Sequence, residues 1–260
     1  MKTVLTIAGF DPSGGAGVAA DLKTFAVLRT YGIAAITSLT SQNTQQVFAT
    51  FHQSVDVVRA QLIPLCEDFQ IEAVKIGMLP TRELIELVAE IITTYGLKNI
   101  VIDPVFRSSS GHDLIDAEAR ELLFEKLFPF AAVITPNLDE AAALLQRKIE
   151  NEIEMKAAAV ELQRQTNSSA VLIKGGHLKG EALDVLFHEN ACKIFSAPRV
   201  LTRNTHGTGC TLASAVAAFL AQGATIPTAV QQAKEYVTEA LKNSIEVGKG
   251  KGPLNHFHHL

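Results

Sequence analysis

Residues 204–211 form the stretch of this sequence best suited to bind an anion. They read Asn-Thr-His-Gly-Thr-Gly-Cys-Thr and run directly into an apolar, alanine-rich segment over residues 212–220. A short glycine loop that opens into a helix leaves several backbone N–H groups without partners, and the positive end of the helix dipole lies behind them. Gly207 and Gly209 have no Cβ, so an anionic ligand can approach the main chain closely. The pattern predicts an anion site at the start of this helix.

Side chains of the same loop could take part in that chemistry. Thr208 and Thr211 offer hydroxyl donors, and Cys210 places a thiol beside the N–H cluster, where we expect its pKa to fall. A purely structural interpretation is also open, in which Thr208 caps a core helix and Cys210 is a small buried hydrophobic residue. The loop by itself does not decide between the two interpretations.

A second glycine-rich loop follows the first predicted strand. Residues 14–17 contain three glycines, and a helical pattern follows over residues 18–31. The loop matches neither the G-x-G-x-x-G fingerprint nor a Walker A motif, because no Gly-Lys-Ser/Thr follows it. It favours a flexible wall that closes on a small substrate. Asp21 and Lys23 lie in the first turns of the helix, where a solvated helix face explains Lys23 and is an equal alternative for Asp21.

Polar side chains recur where apolar strands end. Thr40 and Gln42 close one predicted strand, Asp103 lies at the end of another, and Lys174 ends a third. Ligands of α/β proteins bind at the carboxyl ends of parallel strands. The polar side chains that follow Thr40 are where the ring nitrogens and amines of a substrate could be recognised. Asn137-x-x-Glu140 also fits a helix capping box without any functional role.

The elements that must position these residues alternate between strands and helices. The predicted strands are residues 4–8, 33–40, 47–51, 73–78, 99–105, 131–135 and 170–177, and the predicted helices include residues 18–31, 54–69, 82–95, 117–127, 152–165 and 228–247. Alternating strands and helices with short connections imply a mostly parallel sheet covered on both faces. Residues 182–195 predict an antiparallel hairpin that turns at Glu189 and Asn190. We expect one α/β domain over residues 1–260.

The composition excludes several classes of function. The 260 residues carry a net charge of -4, which gives no electrostatic reason to bind nucleic acid, and the absence of Trp disfavours base stacking. No apolar run approaches the roughly 20 residues of a membrane span. Three cysteines without C-x-x-C spacing argue against a disulfide framework and against a zinc site. We therefore expect a cytoplasmic protein that contacts neither membrane nor nucleic acid.

Seven motifs, taken in order, resemble those of one known family. They are Ala8-Gly9-x-Asp11-x-Ser13-Gly14-Gly15-Ala16-Gly17, Lys75-x-Gly77-Met78-Leu79, Asp103-Pro104-Val105, Thr135-Pro136-Asn137-Leu138-x-Glu140-Ala141, Lys174-Gly175-Gly176-His177, Thr205-His206-Gly207-Thr208-Gly209-Cys210-Thr211 and Gly248-Lys249-Gly250-x-Gly252-Pro253-x-x-His256-Phe257. The set resembles the hydroxymethylpyrimidine/phosphomethylpyrimidine kinases of thiamine biosynthesis, in the ribokinase-like superfamily. The resemblance covers essentially the whole chain.

That resemblance implies a three-layer ribokinase-like fold, ATP and Mg²⁺ as cofactors, and two successive phosphorylations of a hydroxymethylpyrimidine. The implied site residues are Gly207, Thr208, Gly209 and Cys210 around the transferring phosphoryl group; Gly9, Asp21, Thr40, Gln42, Met78 and Val105 around the pyrimidine; Asn137, Lys174, Thr211 and Lys234 around the nucleotide; and Asp103 and Glu140 at the metal. Cys210 would be a candidate proton acceptor. The resemblance also implies a homodimer.

Other functions stay open at this point. Pyridoxine or pyridoxal kinase activity is the nearest alternative, alone or beside the pyrimidine activity, because both substrates are flat nitrogen rings with a hydroxymethyl group. A hydrolase with Cys210 as nucleophile and His206 or His177 as base is a poorer match, since no nucleophile elbow is present. A nucleotide-binding module without catalysis is a third possibility. For Lys174 and Lys234, solvent-exposed surface positions are the structural alternatives, and residues 107–111 could form a lid.

Overall fold

One central sheet organises the chain, and the computed structural model describes it over residues 1–106, 115, 117–176, 178 and 180–258. The strands are β1 (Thr3–Phe10), β2 (Tyr31–Gln42), β3 (Val47–His52), β4 (Ile71–Ile76), β5 (Ile100–Ile102), β6 (Ala131–Ile134), β7 (Ala170–Lys174), β8 (Ala182–His188) and β9 (Ala191–Ala197). The helices are α1 (Gly17–Val27), α2 (Val55–Asp68), α3 (Arg82–Tyr95), α4 (Ala117–Leu122), α5 (Leu138–Leu145), α6 (Glu152–Thr166), α7 (Thr208–Ala221) and α8 (Ile226–Lys242).

The sheet is parallel at its centre and antiparallel at both edges. Its strand order is β3-β2-β1-β4-β5-β6-β7-β8-β9. Strands β1, β2 and β4 to β7 run parallel, whereas β3, β8 and β9 pair antiparallel with their neighbours. Strand β1 lies between β2 and β4, so the chain changes direction across the sheet at this point. Such a reversal opens a crevice at the carboxyl ends of the strands.

Helices cover both faces of the sheet, as predicted. Helices α2 to α6 pack on one face, and α1, α7 and α8 pack on the other. Strand β4 contributes side chains to the helix layers on both faces of the sheet, because successive side chains of a strand point to opposite faces. Val74 and Ile76 join the first layer and Ala73 joins the second. The same alternation directs Lys75 toward α1 and α7, into an interior where a charge requires a partner.

Local signals in the sequence are confirmed at several element ends. Thr81 is the N-cap of α3 and its hydroxyl accepts a hydrogen bond from Leu84 N, while Gly96 ends that helix in the left-handed region at φ 59°. Glu189 and Asn190 have φ values of 49° and 60° in the turn between β8 and β9. Two consecutive residues in this region give the type I′ turn that suits a tight hairpin.

Other predicted boundaries are wrong. Helix α1 ends at Val27 and not near residue 31, because Arg29 adopts φ 59° and the Thr30 hydroxyl donates to Phe25 O. The helix predicted over residues 117–127 is α-helical only to Leu122 and continues as a π-helical turn. Helix α8 ends at Lys242, where the side chain of Asn243 donates to Glu239 O. The possible lid at residues 107–111 lies outside the described residues.

Candidate active site

Helix α7 starts with a glycine as its N-cap. Gly207 has φ 82°, and a Cβ at this position would overlap the carbonyl oxygen of Gly15. The Thr208 hydroxyl donates to Thr205 O at 2.7 Å, so the interpretation of Thr208 as the helix cap is wrong. Within the part of the chain that the structure describes, the N–H groups of Gly209 and Cys210 have no protein acceptor. The unpartnered N–H groups at the start of α7 are the feature from which the sequence predicts an anion site, and that site stays a prediction.

A cleft of about 1560 Å³ lies in front of this helix start, at the carboxyl ends of the parallel strands. Most of the predicted site residues line it. They are Gly9, Thr40, Gln42, Met78, Asp103, Val105, Asn137, Glu140, Lys174, Gly207, Thr208, Gly209, Cys210 and Lys234. Residues from both ends of the chain therefore meet in one cavity.

Asp103 and Lys174 form an ion pair beside the anion site. Lys174 Nζ lies 2.7 Å from Asp103 Oδ1, and the Thr135 hydroxyl donates to the same oxygen at 3.1 Å. A Cβ on Gly209 would lie 3.4 Å from Asp103 Oδ2, so the carboxylate faces the start of α7. Burial alone would lower the pKa of Lys174, but the carboxylates of Asp103 and Glu140 raise it above its usual value. Lys174, whose side chain is 14% exposed, is thus a paired cation in the wall of the cleft and not a solvated strand-end lysine.

Glu140 combines a structural role with a place in the cleft. Its carboxylate accepts a hydrogen bond from Asn137 N at 2.7 Å, and Glu140 N donates to Asn137 Oδ1 at 2.9 Å. The capping box is therefore confirmed. Burial raises the pKa of the Glu140 carboxyl to about 7; Lys174 opposes this shift, and the charge of Asp103 adds to it. The carboxylates of Asp103 and Glu140, which repel each other, thus both line the cleft.

Lys234 also has a carboxylate partner. Its Nζ lies 2.7 Å from Asp184 Oδ2, and both side chains are buried. The other oxygen of Asp184 accepts a hydrogen bond from Gly175 N at 3.0 Å. Helix α8 is thereby tied to β8, and the surface interpretation of Lys234 is wrong.

Asp21 lies beneath the cleft and not in its wall. Its Oδ2 accepts hydrogen bonds from the Thr6 hydroxyl at 2.6 Å and from Lys75 Nζ at 2.8 Å, and its Oδ1 accepts one from the Ser214 hydroxyl at 2.7 Å. The side chains of Asp21 and Lys75 have no exposed surface. This burial contradicts both the substrate contact and the solvated helix face expected for Asp21.

Thr211 is likewise inaccessible. It is fully buried in the first turn of α7, and its hydroxyl has no hydrogen-bond partner among the described residues. The nucleotide contact expected for its side chain is wrong, because the side chain has no exposed surface and does not line the cleft.

The thiol of Cys210 does not have the lowered pKa that the loop predicted. Burial raises the pKa of Cys210 to about 11; the cation of Lys75 opposes the rise, and the charges of Asp21 and Asp103 add to it. The expectation is wrong because desolvation of the thiolate outweighs the attraction of Lys75 and the hydrogen bond from Gly17 N, which both lower the pKa. At pH 8 only about one thiol in a thousand is ionised.

Comparison with known proteins agrees with this geometry. A family model described as phosphomethylpyrimidine kinase matches residues 11–255. The chain belongs to this kinase family. A hydroxymethylpyrimidine/phosphomethylpyrimidine kinase of Rhizobium meliloti (strain 1021) is 45% identical over 257 residues, which are 98% of this chain and 96% of the relative.

Two solved structures extend the comparison. The phosphomethylpyrimidine kinase of Clostridium difficile 630 is 42% identical with a TM-score of 0.83, over 93% of this chain and 100% of that one. An ADP complex of Bacillus subtilis pyridoxal kinase is 38% identical with a TM-score of 0.93, over 100% and 98% of the two chains. The ribokinase-like fold and the family resemblance are thus confirmed.

Family membership makes this chain a kinase and implies that ATP is its phosphoryl donor. The hydrolase alternative is wrong, because the chain belongs to a family of kinases. Of its two candidate bases, His206 pairs with Asp11, and His177 lies outside the described residues. The same membership disfavours a nucleotide-binding module without catalysis. Across the described ranges, no helix of this kinase has the length and apolar character that a membrane crossing requires.

Sequence reasoning gave no role in a kinase site to four ionisable residues, although three of them lie in the motifs named above. Lys75, Asp184, Asp11 and His206 each form a buried ion pair or hydrogen bond at the cleft. Lys75 could have been found, because a lysine within an apolar strand must have a buried partner. Asp184 and Asp11 gave no comparable signal, since their partners are distant in the sequence.

Loss of the buried pair should destabilise the protein strongly. Lys75→Met leaves the Asp21 carboxylate buried without its cation, so we expect the free energy of unfolding to fall by about 3–5 kcal/mol, measured by urea denaturation. Lys2→Met is the matched control, because Lys2 pairs with Glu72 at the surface. This control should lose less than about 1 kcal/mol. Equal losses in the two variants would contradict the buried-pair argument.

Proposed function

We propose that this kinase transfers the γ-phosphoryl group of ATP to the hydroxymethyl group of 4-amino-5-hydroxymethyl-2-methylpyrimidine, and then a second one to the phosphate of the product, in thiamine biosynthesis. The family match over residues 11–255 carries this proposal. Phosphoryl transfer needs positioning and charge stabilisation more than covalent chemistry. The N–H groups of Gly209 and Cys210 at the start of α7 supply the charge stabilisation.

The acceptor ring would bind at the end of the cleft that Gln42 lines. Its amide offers a donor and an acceptor, as an aminopyrimidine edge requires. Met78 and Val105 line the same cleft and would sandwich the ring. A Cβ on Gly9 would lie 3.2 Å from Met78 Sδ, so the absence of a side chain there keeps Met78 in place. Thr40 lies beside Gln42 and holds its amide.

The nucleotide would bind where the lysines line the cleft. Lys174 and Lys234 would contact the phosphates of ATP, with Asn137 beside them. Asp103 and Glu140 suit Mg²⁺, because their mutual repulsion would be relieved by a divalent cation. No group of three or more His, Cys, Asp or Glu side chains suited to a metal occurs in the described ranges, which fits an ion that keeps most of its waters. When bound, Mg²⁺ would neutralise charge on the phosphates.

Pyridoxine or pyridoxal is a second candidate acceptor. The specific observation that favours it is the likeness to the Bacillus subtilis pyridoxal kinase structure. The pyrimidine is preferred because the curated relative at 45% identity is a hydroxymethylpyrimidine/phosphomethylpyrimidine kinase. The two activities can coexist in one cleft, since both acceptors are flat rings with a hydroxymethyl group.

A coupled ADP-release assay with Mg-ATP tests the proposed function. We expect turnover of the hydroxymethylpyrimidine and of its monophosphate, with pyridoxine at least about tenfold lower in kcat/KM, a difference of roughly 1.4 kcal/mol. A preference for pyridoxine or pyridoxal, with no turnover of the pyrimidine monophosphate, would instead support the second candidate.

We expect Cys210 to act through its backbone N–H, because its thiol pKa of about 11 leaves little thiolate at neutral pH. Cys210→Ala should keep kcat within about tenfold at pH 8. Its pH–rate profile should run parallel to that of the unmodified enzyme between pH 7 and 9. A required thiolate would instead make the rate rise about tenfold per pH unit in this range, and its loss would lower kcat by ~10²–10⁴. That result would make Cys210 the proton acceptor.

We also propose that the kinase is a homodimer whose subunits meet at the edge formed by β2 and β3. Leu39 and Phe51 are directly paired across these strands, and their exposed fractions are 42% and 60%. Phe48 on the opposite face of β3 is 59% exposed. Large apolar side chains clustered at a sheet edge are typical of a protein interface.

Sedimentation velocity tests the dimer. Phe51→Ser should shift the protein from dimer to monomer at micromolar concentration, because it removes apolar area from the proposed interface. Ile153→Ser is the control, since Ile153 is 79% exposed on α6, away from this edge. A monomer before any substitution, or a dimer in both variants, would refute this interface.

A further inference from the structure

The His206 ring is held between the glycine-rich loop and the end of β2. Its side chain is 8% exposed, and its backbone N–H donates to Gly252 O at 3.1 Å. A Cβ on Gly15 would overlap the ring, so the loop packs directly against it. The ring therefore has little freedom to rotate. None of the roles argued above for phosphoryl transfer uses this residue.

Asp11 determines which ring nitrogen carries a hydrogen. Its Oδ1 accepts hydrogen bonds from Ser13 N and Ser13 Oγ at 2.8 and 2.7 Å, and its Oδ2 accepts one from Ala16 N at 3.0 Å. Burial raises the pKa of Asp11, but the hydrogen bonds from His206 and Ser13 lower it further than burial raises it. His206 Nε2 lies 2.7 Å from Oδ2 of this carboxylate. Nε2 must then carry a hydrogen that it donates to Asp11.

The same nitrogen also lies beside the amide of Gln42. The distance between His206 Nε2 and Gln42 Nε2 is 3.2 Å, and Thr40 Oγ1 lies 3.1 Å from both Gln42 Oε1 and Phe10 O. A ring nitrogen that donates to Asp11 cannot accept from an amide N–H. A half-turn of the amide resolves this conflict. Oε1 then lies 3.2 Å from His206 Nε2 as the second acceptor of the hydrogen that this nitrogen donates chiefly to Asp11, and the amide NH₂ donates to Thr40. The Thr40 hydroxyl is left to donate to Phe10 O.

We propose that His206, oriented by Asp11, is a positioning residue that sets the amide orientation of Gln42 and thereby the preference for a pyrimidine over a pyridine acceptor. This inference rests on the proposed function, in which Gln42 contacts the acceptor ring. With both ends of the amide held, one N–H and one lone pair of Gln42 point in defined directions. An aminopyrimidine edge offers an amine donor and a ring-nitrogen acceptor side by side, whereas a pyridine acceptor lacks the amine.

A double-mutant cycle tests whether His206 acts through Gln42. We expect His206→Ala to raise KM for the hydroxymethylpyrimidine about tenfold, and to leave kcat and KM for ATP within about twofold. In a Gln42→Ala background, the same substitution should change KM by less than about twofold. His52→Ala is the matched control, because His52 contacts Ser38 on β2 but does not line the cleft. This control should leave all three constants unchanged.

Three outcomes would overturn the inference. Additive effects of the two substitutions would show that His206 does not act through Gln42. A fall in kcat together with a higher KM for ATP would assign His206 to support of the neighbouring anion loop. An unchanged ratio of kcat/KM between the pyrimidine and pyridoxine would exclude a role in acceptor choice.

A second variant keeps the test decisive if His206→Ala does not fold. Thr40→Val removes the hydrogen-bond partner at the other end of the Gln42 amide and leaves the His206 loop untouched. We expect it to lower the preference for the pyrimidine over pyridoxine about fivefold or more, and an unchanged preference would refute the proposal. If the unmodified kinase does not turn over the pyrimidine, the proposed function fails by itself. The double-mutant cycle can then be run with pyridoxine as the acceptor, where it measures the coupling between His206 and Gln42 alone. Failure of the proposed function is thereby distinguished from failure of this coupling.

Discussion

The buried ion pair between Asp21 and Lys75 is the interaction on which the active-site end of the sheet depends. Desolvating two charges is expensive, and the expense is offset only when every oxygen and hydrogen has a partner. Asp21 achieves this with Thr6 on β1, Lys75 on β4 and Ser214 on α7. Helix α1 and these three elements therefore have one arrangement that satisfies the charges. Cys210 lies one helical turn before Ser214. The hydrogen bond from Ser214 to Asp21 therefore fixes where the N-terminus of α7 lies.

Two positively charged side chains of the cleft are paired with carboxylates. Lys174 and Lys234 are each paired with an aspartate at 2.7 Å. The backbone N–H groups at the start of α7 are different, because Gly209 and Cys210 have no protein acceptor in the part of the chain that is described. A phosphate that enters the cleft therefore meets preorganised donors first, and these need no rearrangement to bind it. Each lysine ammonium has three N–H donors, so Lys174 and Lys234 can donate to a phosphate while they stay paired with their aspartates.

Local physics explains how much the sequence could predict. The parallel sheet, the cap at Thr81 and the turn at Glu189 and Asn190 follow from patterns within a few residues, and the structure confirms them. The pKa of Cys210 could not be predicted, because it depends on how deeply the thiol is buried and on Lys75, which is 135 positions away in the sequence. Asp21 was misassigned for the same reason. The family resemblance implied a ligand contact for Asp21, whereas its burial follows from the packing of α1 against α7.

The contact between Asp11 and His206 joins positions that are 195 residues apart. Loop closure over such a distance is entropically unfavourable and forms late unless other contacts bring the ends together. During synthesis, the glycine-rich loop leaves the ribosome long before the segment that must pack against it. The cleft therefore stays incomplete until the segment around His206 has been synthesised. An N-terminal fragment would leave Asp21 and Lys75 without Ser214. Catalytic competence would arise only when the C-terminal third has added β8 and β9 to the sheet and packed α7 and α8 against it.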